Sequence, residues 1–282
     1  MVEWLPSSSS MLLFVIGDPV SHSISPPIHN RVIRRLGLDA VYLALRVPKG
    51  MLEQFVSLAR ISNVKGFNVT IPHKVSVASL VDRLDRSAEL TGCVNTVRVC
   101  GEALEGFNTD VAGVEKPLRK AGFNGRGVAV VIGAGGGARA AVLALLSMGC
   151  RVVVLNRSVS RALELKKHFA EKGFSVSIRG LNEAPEVFRE ADVVVNATPV
   201  GMGSFSETPV PTGLLRRSQF LLDMVYTPHP TRLVEEASEK GLVAIPGVEM
   251  LVHQAAESFE KWFGVKPPVE DMMEEALRRL KG

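Results

Sequence analysis

The stretch Val128–Ala141, VAVVIGAGGGARAA, decides how the chain is read. Val128–Ile132 is five consecutive apolar residues, the pattern of a parallel strand buried on both faces. It runs directly into glycines, and a helical stretch follows over Ala138–Met148. Gly133, Gly135 and Ala138 fill the three places of G-x-G-x-x-G/A in the strand–turn–helix setting that the pattern requires. The loop Gly133, Ala134, Gly135, Gly136, Gly137, Ala138 therefore reads as a pyrophosphate cradle. Small residues let the backbone approach the ligand, and the helix N-terminus offers N–H groups and a favourable dipole.

Downstream the same rhythm continues. Arg151–Leu155, Asp192–Asn196 and Phe220–Met224 read as strands and Val159–Glu171 as a helix, as in a doubly wound sheet. The strand Arg151–Leu155 ends in Asn156, Arg157 and Ser158, with Arg161 one helical turn on. Enzymes that use NAD place an acid near this point to hold the ribose 2′-hydroxyl. None is present here, and arginine suits a 2′-phosphate through charge-assisted hydrogen bonds, so the expected cofactor is NADP. Cations are unfavourable at a helix start unless an anion sits there, which agrees with that expectation.

Upstream the chain is also α/β. Leu12–Ile16, Val41–Val47, Gly66–Val69, Cys93–Val99 and Ala103–Gly106 read as strands. Pro26–Leu36, Met51–Ala59, Val75–Val81 and Val111–Lys120 read as helices. Val248–Phe263 and Glu270–Leu280 are amphipathic and close the chain. The first domain is expected to run to about residue 110 and the nucleotide domain from 111 to 244. The first ten residues read as a loose extension.

Composition narrows the function. Hydrophobic residues make up 46% of 282, enough for one or two cores, and the charge of +4 contains no run of five like charges. A nucleic-acid tail is therefore not indicated. Met11–Gly17 is too short to span a membrane and lacks the flanks of a signal peptide. Cys93, Cys100 and Cys150 form no CxxC pair, and the six histidines form no HExxH, so a reducing cytoplasm and no metal are expected.

Several polar residues fall where turns should follow the first domain's strands: Ser23 and Ser25 in SHSISP, Asn68, Thr70 and Lys74 in GFNVTIPHK, Asn95 in VNT, Asp110 in NTD. Each has an ordinary explanation as a helix cap, turn residue or surface lysine. Their order, continued by GAGGGAR, NRSVSRA, NATPVGM (196–202), DMVYTP (223–228) and PGVEMLVHQA (246–255), resembles the shikimate dehydrogenase family along nearly the whole chain. The resemblance implies two domains with the site in the cleft between them. The first is a substrate domain of residues 1–110 completed by 245–282, and the second a Rossmann-type NADP-binding domain. It also implies reversible reduction of 3-dehydroshikimate to shikimate by NADPH.

Residue by residue, the resemblance makes Lys74 and Asp110 the catalytic pair. It gives Ser23, Ser25 and Tyr226 to the substrate carboxylate, and Asn68, Thr70, Asn95 and Gln254 to the ring hydroxyls. The cofactor falls to the glycine loop, to Asn156, Arg157, Ser158 and Arg161, and to Thr198, Met224 and Gly247. Two departures are small. Ile24 stands between the serines where a polar residue is frequent, and Ala138 where many members carry serine. A broader quinate/shikimate dehydrogenase and a non-catalytic NADP-binding sensor are the competing functions. Small-molecule substrates are the expected partners, with neither nucleic acid nor membrane, in a monomer or homodimer.

Overall fold

The computed structural model describes residues 6–281, which divide into two compact units. The first contains the chain up to Thr109 together with Gln254–Leu280; the second contains Asp110–His253.

In the first unit a six-stranded sheet has the order β2-β1-β3-β5-β6-β4. Its strands are β1 (Met11–Gly17), β2 (Ala40–Arg46), β3 (Val64–Val69), β4 (Arg83–Leu84), β5 (Thr96–Cys100) and β6 (Ala103–Phe107). β1 runs parallel to both β2 and β3, whereas β5 is antiparallel to β3 and to β6. The helices are α1 (Ser25–Arg35), α2 (Leu52–Ile61) and α3 (Arg86–Thr91). One core gathers Phe55, Val64, Phe67, Val97 and Leu104. The carboxyl-terminal part of α9 (Gly247–Phe263) also packs on this sheet, where Trp262 Nε1 donates to Val97 O at 2.9 Å. α10 (Val269–Lys281) is pinned to α1 by Arg31–Glu274 and Arg35–Asp271.

The second unit is an all-parallel sheet in the order β12-β11-β10-β7-β8-β9. It comprises β7 (Val128–Ile132), β8 (Arg151–Asn156), β9 (Val176–Gly180), β10 (Val193–Asn196), β11 (Phe220–Asp223) and β12 (Val243–Ile245). Numbered within the unit this is 6-5-4-1-2-3, the doubly wound dinucleotide-binding order, with its switch point between β7 and β10. The helices are α4 (Asp110–Lys120), α5 (Gly136–Ser147), α6 (Val159–Glu171), α7 (Ala184–Glu190) and α8 (Arg232–Glu239). Val130, Val131, Val194, Val195 and Leu221 are fully buried at the sheet centre, as a strand covered on both faces requires.

Three expectations need correction. Val75–Val81 is not an α-helix; only a 3₁₀ turn forms, at Ser76–Ser79, because serines and β-branched valines hold a helix poorly and Val77 alone of that turn is buried. The strand read from Cys93 starts at Thr96. Trp4 and Leu5 lie outside the described residues, but Ser7–Ser10 is not loose: the hydroxyls of Ser7, Ser9 and Ser10 all donate to the Asp39 carboxylate.

Candidate active site

In the second unit, parallel register collects the sequence motifs at one edge. Ile132 at the end of β7 pairs with Asn196 of β10 and with Leu155 of β8, and Asn196 pairs with Asp223 of β11. The glycine loop, Asn156–Ser158, Thr198 and Met224 all leave the sheet there. Gly133 has φ +117°, and a Cβ on it would lie 2.9 Å from Ala197 O, so only glycine fits. Before α5 the backbone is open: a Cβ on Gly135 would meet nothing within 4 Å. Gly135 caps α5 without a side-chain bond, and no acid stands in its first turn. A Cβ on Gly137 would lie 3.2 Å from Met224 Sδ, which places that thioether against the loop. At Gly247 a Cβ would sit 2.4 Å from Val225 O, so the start of α9 runs directly against the β11 exit.

The end of β8 is cationic. Arg157 and Arg161 are exposed, and neither enters a hydrogen bond or ion pair among the described residues. Asn156 Nδ2 donates to Ser158 O at 2.8 Å, which folds the turn, and Ser158 Oγ lies 2.9 Å from Ser160 Oγ. Neither side-chain cap nor first-turn acid occupies the start of α6.

A device at the switch point was missed in the sequence. Asn196 Nδ2 donates to Asp223 Oδ1 at 2.8 Å, while Thr198 N and Oγ1 both donate to Asn196 Oδ1. Asp223 also receives Val225 N and Thr231 Oγ1. Burial raises its carboxyl pKa, opposed by these bonds. The signal was a polar residue ending each of two adjacent apolar strands. Tyr226 is half-buried, and burial pushes its phenol pKa up, so it stays a donor.

In the first unit the mixed sheet does similar work. β3 ends at Val69 where β5 is about to begin, with Asn68 opposite Thr96 and Thr96 opposite Phe107. Asn68, Thr70, Asn95 and Thr109 therefore emerge at one edge. Backbone bonds tie the segments: Val69 N to Asn95 O, Asn95 N to Phe107 O, and Val94 N to Lys74 O at 2.8 Å. Lys74 is half-buried in the turn after β3, and Thr70 N donates to Ile16 O. Ser23 and Ser25 enter α1; Ser25 N donates to Ser23 Oγ at 3.3 Å. The N-cap of α1 is Ile24, with no side-chain cap bond, so neither serine caps the helix.

Asn68, Asn95 and Gln254 share one buried polar network with four residues that the sequence did not single out, Tyr42, Thr96, Thr109 and Ser258. Tyr42 Oη donates to Asn68 Oδ1 at 2.7 Å. Asn68 Nδ2 faces Asn95 O, Thr96 Oγ1 and Ser258 Oγ at 3.1, 2.9 and 3.0 Å. Asn95 Nδ2 faces Thr109 Oγ1 at 3.0 Å and Gln254 Oε1 at 3.5 Å. Gln254 and Ser258 lie one turn apart on the buried face of α9, and two polar residues on an otherwise apolar stripe were the available signal. Asp110 is buried as the first residue of α4. Among the described residues, no three His, Cys, Asp or Glu gather to hold a metal.

A doubly wound sheet with an open glycine turn at its switch point defines a dinucleotide-binding protein. The family described as "Shikimate dehydrogenase substrate binding domain" matches residues 15–97, "Shikimate / quinate 5-dehydrogenase" matches 119–227, and "Shikimate 5'-dehydrogenase C-terminal domain" matches 247–277. A "Shikimate dehydrogenase (NADP(+))" of Methanopyrus kandleri is 44% identical over 275 residues, covering 95% of each chain. A crystal structure of a shikimate dehydrogenase in complex with NADP+ superposes with TM-score 0.93 at 33% identity, covering 99% of both chains. That of shikimate 5-dehydrogenase from Thermus thermophilus, in complex with NADP(H) and shikimate, gives 0.87 at 36% identity, covering 96% of this chain and 100% of the other. The chain belongs to the shikimate dehydrogenase family.

Proposed function

We propose that this chain catalyses the reversible, NADPH-dependent reduction of 3-dehydroshikimate to shikimate, a step toward chorismate and the aromatic amino acids. The observation that carries the reading is that one family matches residues in both units, 15–97, 119–227 and 247–277. NADPH, when bound, supplies the hydride, and in the reverse direction NADP+ accepts it. The site at the β7–β10 switch point fits that cofactor. The open backbone at Gly135 and the uncapped start of α5 suit a pyrophosphate. Arg157 and Arg161, with no acid beside them, suit a 2′-phosphate. Asn156 and Ser158 shape that turn, and Thr198, Met224 and Gly247 line the path of the cofactor along the same strand ends.

Ser23 and Ser25 donate to the substrate carboxylate, joined by the protonated Tyr226. Asn68, Thr70, Asn95 and Gln254 hold the ring hydroxyls. During reduction, negative charge builds on the ketone oxygen. Lys74 stabilises it and gives its proton there; in oxidation Lys74 takes the proton back. Asp110 orients the lysine. The chain works in the cytoplasm on small molecules, with neither nucleic acid nor membrane, as a monomer or homodimer. Three free cysteines agree with a reducing compartment, and no helix among the described residues is long and apolar enough to cross a membrane.

The test is NADPH formation followed spectrophotometrically with shikimate and with quinate, each against NADP and NAD. Shikimate with NADP is expected to be the best pair. Faster turnover of quinate would assign the broader activity, and no turnover with any pair would leave a cofactor-binding protein without catalysis.

A further inference from the structure

β2 is an edge strand, and its free side is closed only in part. Successive residues of a strand turn their backbone groups to opposite sides. Met11 N donates to Asp39 O and Val47 N to Gly17 O, so the odd-numbered residues of β2 face β1 and the even-numbered ones face outward. At Tyr42 the outward pair is taken: Tyr42 N donates to Asn30 Oδ1 at 2.9 Å, and Tyr42 O receives Asn30 Nδ2 at 2.8 Å. Ala40 N donates to Leu38 O. Ala44 and Arg46 are exposed, and their backbone groups have no partner among the described residues. Pro48, the next even-numbered residue, has no N–H to offer.

We propose that this open segment pairs with the same segment of a second copy of the chain, antiparallel and two-fold, so that the two first-unit sheets join across β2. In an antiparallel ladder the opposed residues of a hydrogen-bonded pair exchange both bonds. Ala44 then faces the partner's Arg46, Arg46 faces the partner's Ala44, and Leu45 meets the partner's Leu45 on the axis. Every open N–H and C=O of both segments is satisfied at once, as a self-complementary patch requires. The closed positions leave this one register: a shift by two sets Arg46 against the closed Tyr42, or Ala44 against Pro48.

The surface beside the edge suits the same partner. Leu43 is 46% and Leu45 37% exposed, on the face of the sheet that carries α2. Leu43 neighbours Phe14 in register, and Phe55 of α2 stands edge-on to Phe14 with ring centroids 6.1 Å apart. Met51 and Leu58 fall on the same side of α2 as Phe55 and are 49% and 57% exposed. At about 200 Å² for each residue when bare, these four leave roughly 400 Å² of mainly apolar surface, about half of what each partner of a standard interface buries. No charge interrupts that face: Val41, Leu43, Leu45 and Val47 are all apolar, and Arg46 on the other face is paired with Asp18 at 2.7 Å. Edges that stay single are commonly guarded by lysine, proline or a bulge, and β2 has none of these.

The experiment measures the mass of the full chain by sedimentation equilibrium, with deuterium exchange on the same samples. The parent should sediment at twice the mass of one chain, and the amides of Ala44 and Arg46 should exchange slowly. Ala44→Pro removes an outward N–H and spares the ladder to β1. Leu45→Lys sets like charges against each other across the axis. Each is expected to weaken self-association roughly a hundredfold and to free the Arg46 amide, with the fold checked by circular dichroism. Val243→Lys, on the β12 edge of the other sheet, should leave the mass unchanged. A parent that stays a single chain at its highest soluble concentration would overturn the proposal. So would a dimer that survives both variants, one that is lost in Val243→Lys, or one whose Ala44 and Arg46 amides exchange fast, since each places the contact elsewhere. If Ala44→Pro does not fold, Leu45→Lys and the exchange at Ala44 and Arg46 decide.

Discussion

The two units solve opposite problems with polar groups. At the β7–β10 switch point the important atoms are left open. The glycine loop has space in front of it, α5 and α6 start without side-chain caps, and Arg157 and Arg161 are without internal partners. In the first unit the polar side chains from Tyr42 to Gln254 are buried and spend their bonds on one another. A phosphate-bearing ligand brings its own charge and needs a receptive surface. An uncharged ring hydroxyl brings little, and recognising it depends on donors and acceptors fixed in advance. The difference predicts that damage at the β7–β10 switch point shows as lost charge recognition, and damage at the β3–β5 edge as lost orientation or chemistry.

The largest effect is expected at Lys74. Lys74→Met preserves length without charge, and turnover of shikimate should fall by about 10²–10⁴, with NADP binding intact by fluorescence titration. Asp110→Asn should also slow turnover, and the double variant should be little slower than the worse single. Near-normal turnover in Lys74→Met would remove the lysine from proton transfer. Multiplicative losses would separate the two residues.

Next comes Arg157→Ala, which tests the open side of the comparison. Hydrogen bonds to charged groups contribute roughly 1.5–3 kcal/mol, so NADP should bind about ten- to a hundredfold more weakly and NAD almost as before. Steady-state kinetics with both cofactors reads this directly. Equal losses would mean that the arginine serves the turn and not the 2′-phosphate.

A smaller shift is expected for Ser23→Ala, with the Michaelis constant for shikimate rising roughly three- to tenfold and that for NADP unchanged. Since Ile24 and not serine is the N-cap of α1, the melting temperature should barely move. A variant that melts early with normal kinetics would return Ser23 to a structural role.

The smallest effect concerns the first unit's interior. His29 is fully buried among Tyr42, Phe259 and Trp262, its ring nitrogens have no partners, and burial lowers its pKa from 6.5 to about 3. The unfolded chain takes up a proton below about pH 6.5 and the folded chain does not until about pH 3. Stability is therefore complete above pH 6.5 and falls as pH drops from there toward 3. His29→Phe removes that loss. Relative to the parent it should gain about 1 kcal/mol between pH 8 and pH 6 in denaturant titrations. An identical pH dependence in both proteins would show that His29 takes up its proton as readily in the folded state as in the unfolded chain.

How much of this could be read from residues alone follows the same division. Val128–Ile132 and Val159–Glu171 were read with their observed bounds, because a doubly covered strand and an amphipathic helix leave strong patterns. β9 and β12 were missed. They are edge strands, flanked on one side only, and VSIRG and VAI carry too little apolar demand to be seen. α3 was legible and passed over: Asp85 caps it by accepting Ala88 N at 2.9 Å. The glycine loop announced itself through backbone conformation, which glycine encodes locally. Tyr42, Thr96 and Ser258 did not, since each looks ordinary until folding brings residues far apart in sequence within 3.0 Å of Asn68.

The three serines on Asp39 lead somewhere quite different. One carboxylate gathers hydroxyls from Ser7, Ser9 and Ser10 at the point where the chain enters β1, and Asn63 Nδ2 donates to Ser10 O. β1 is thus anchored at its entry as well as along its ladders to β2 and β3. Peeling it from that end requires breaking the serine cluster first. In the language of amide exchange, protection at Met11 and Leu12 should follow the sheet and not a fraying terminus, so the opening unit of the first domain begins at residue 7 rather than at the strand itself.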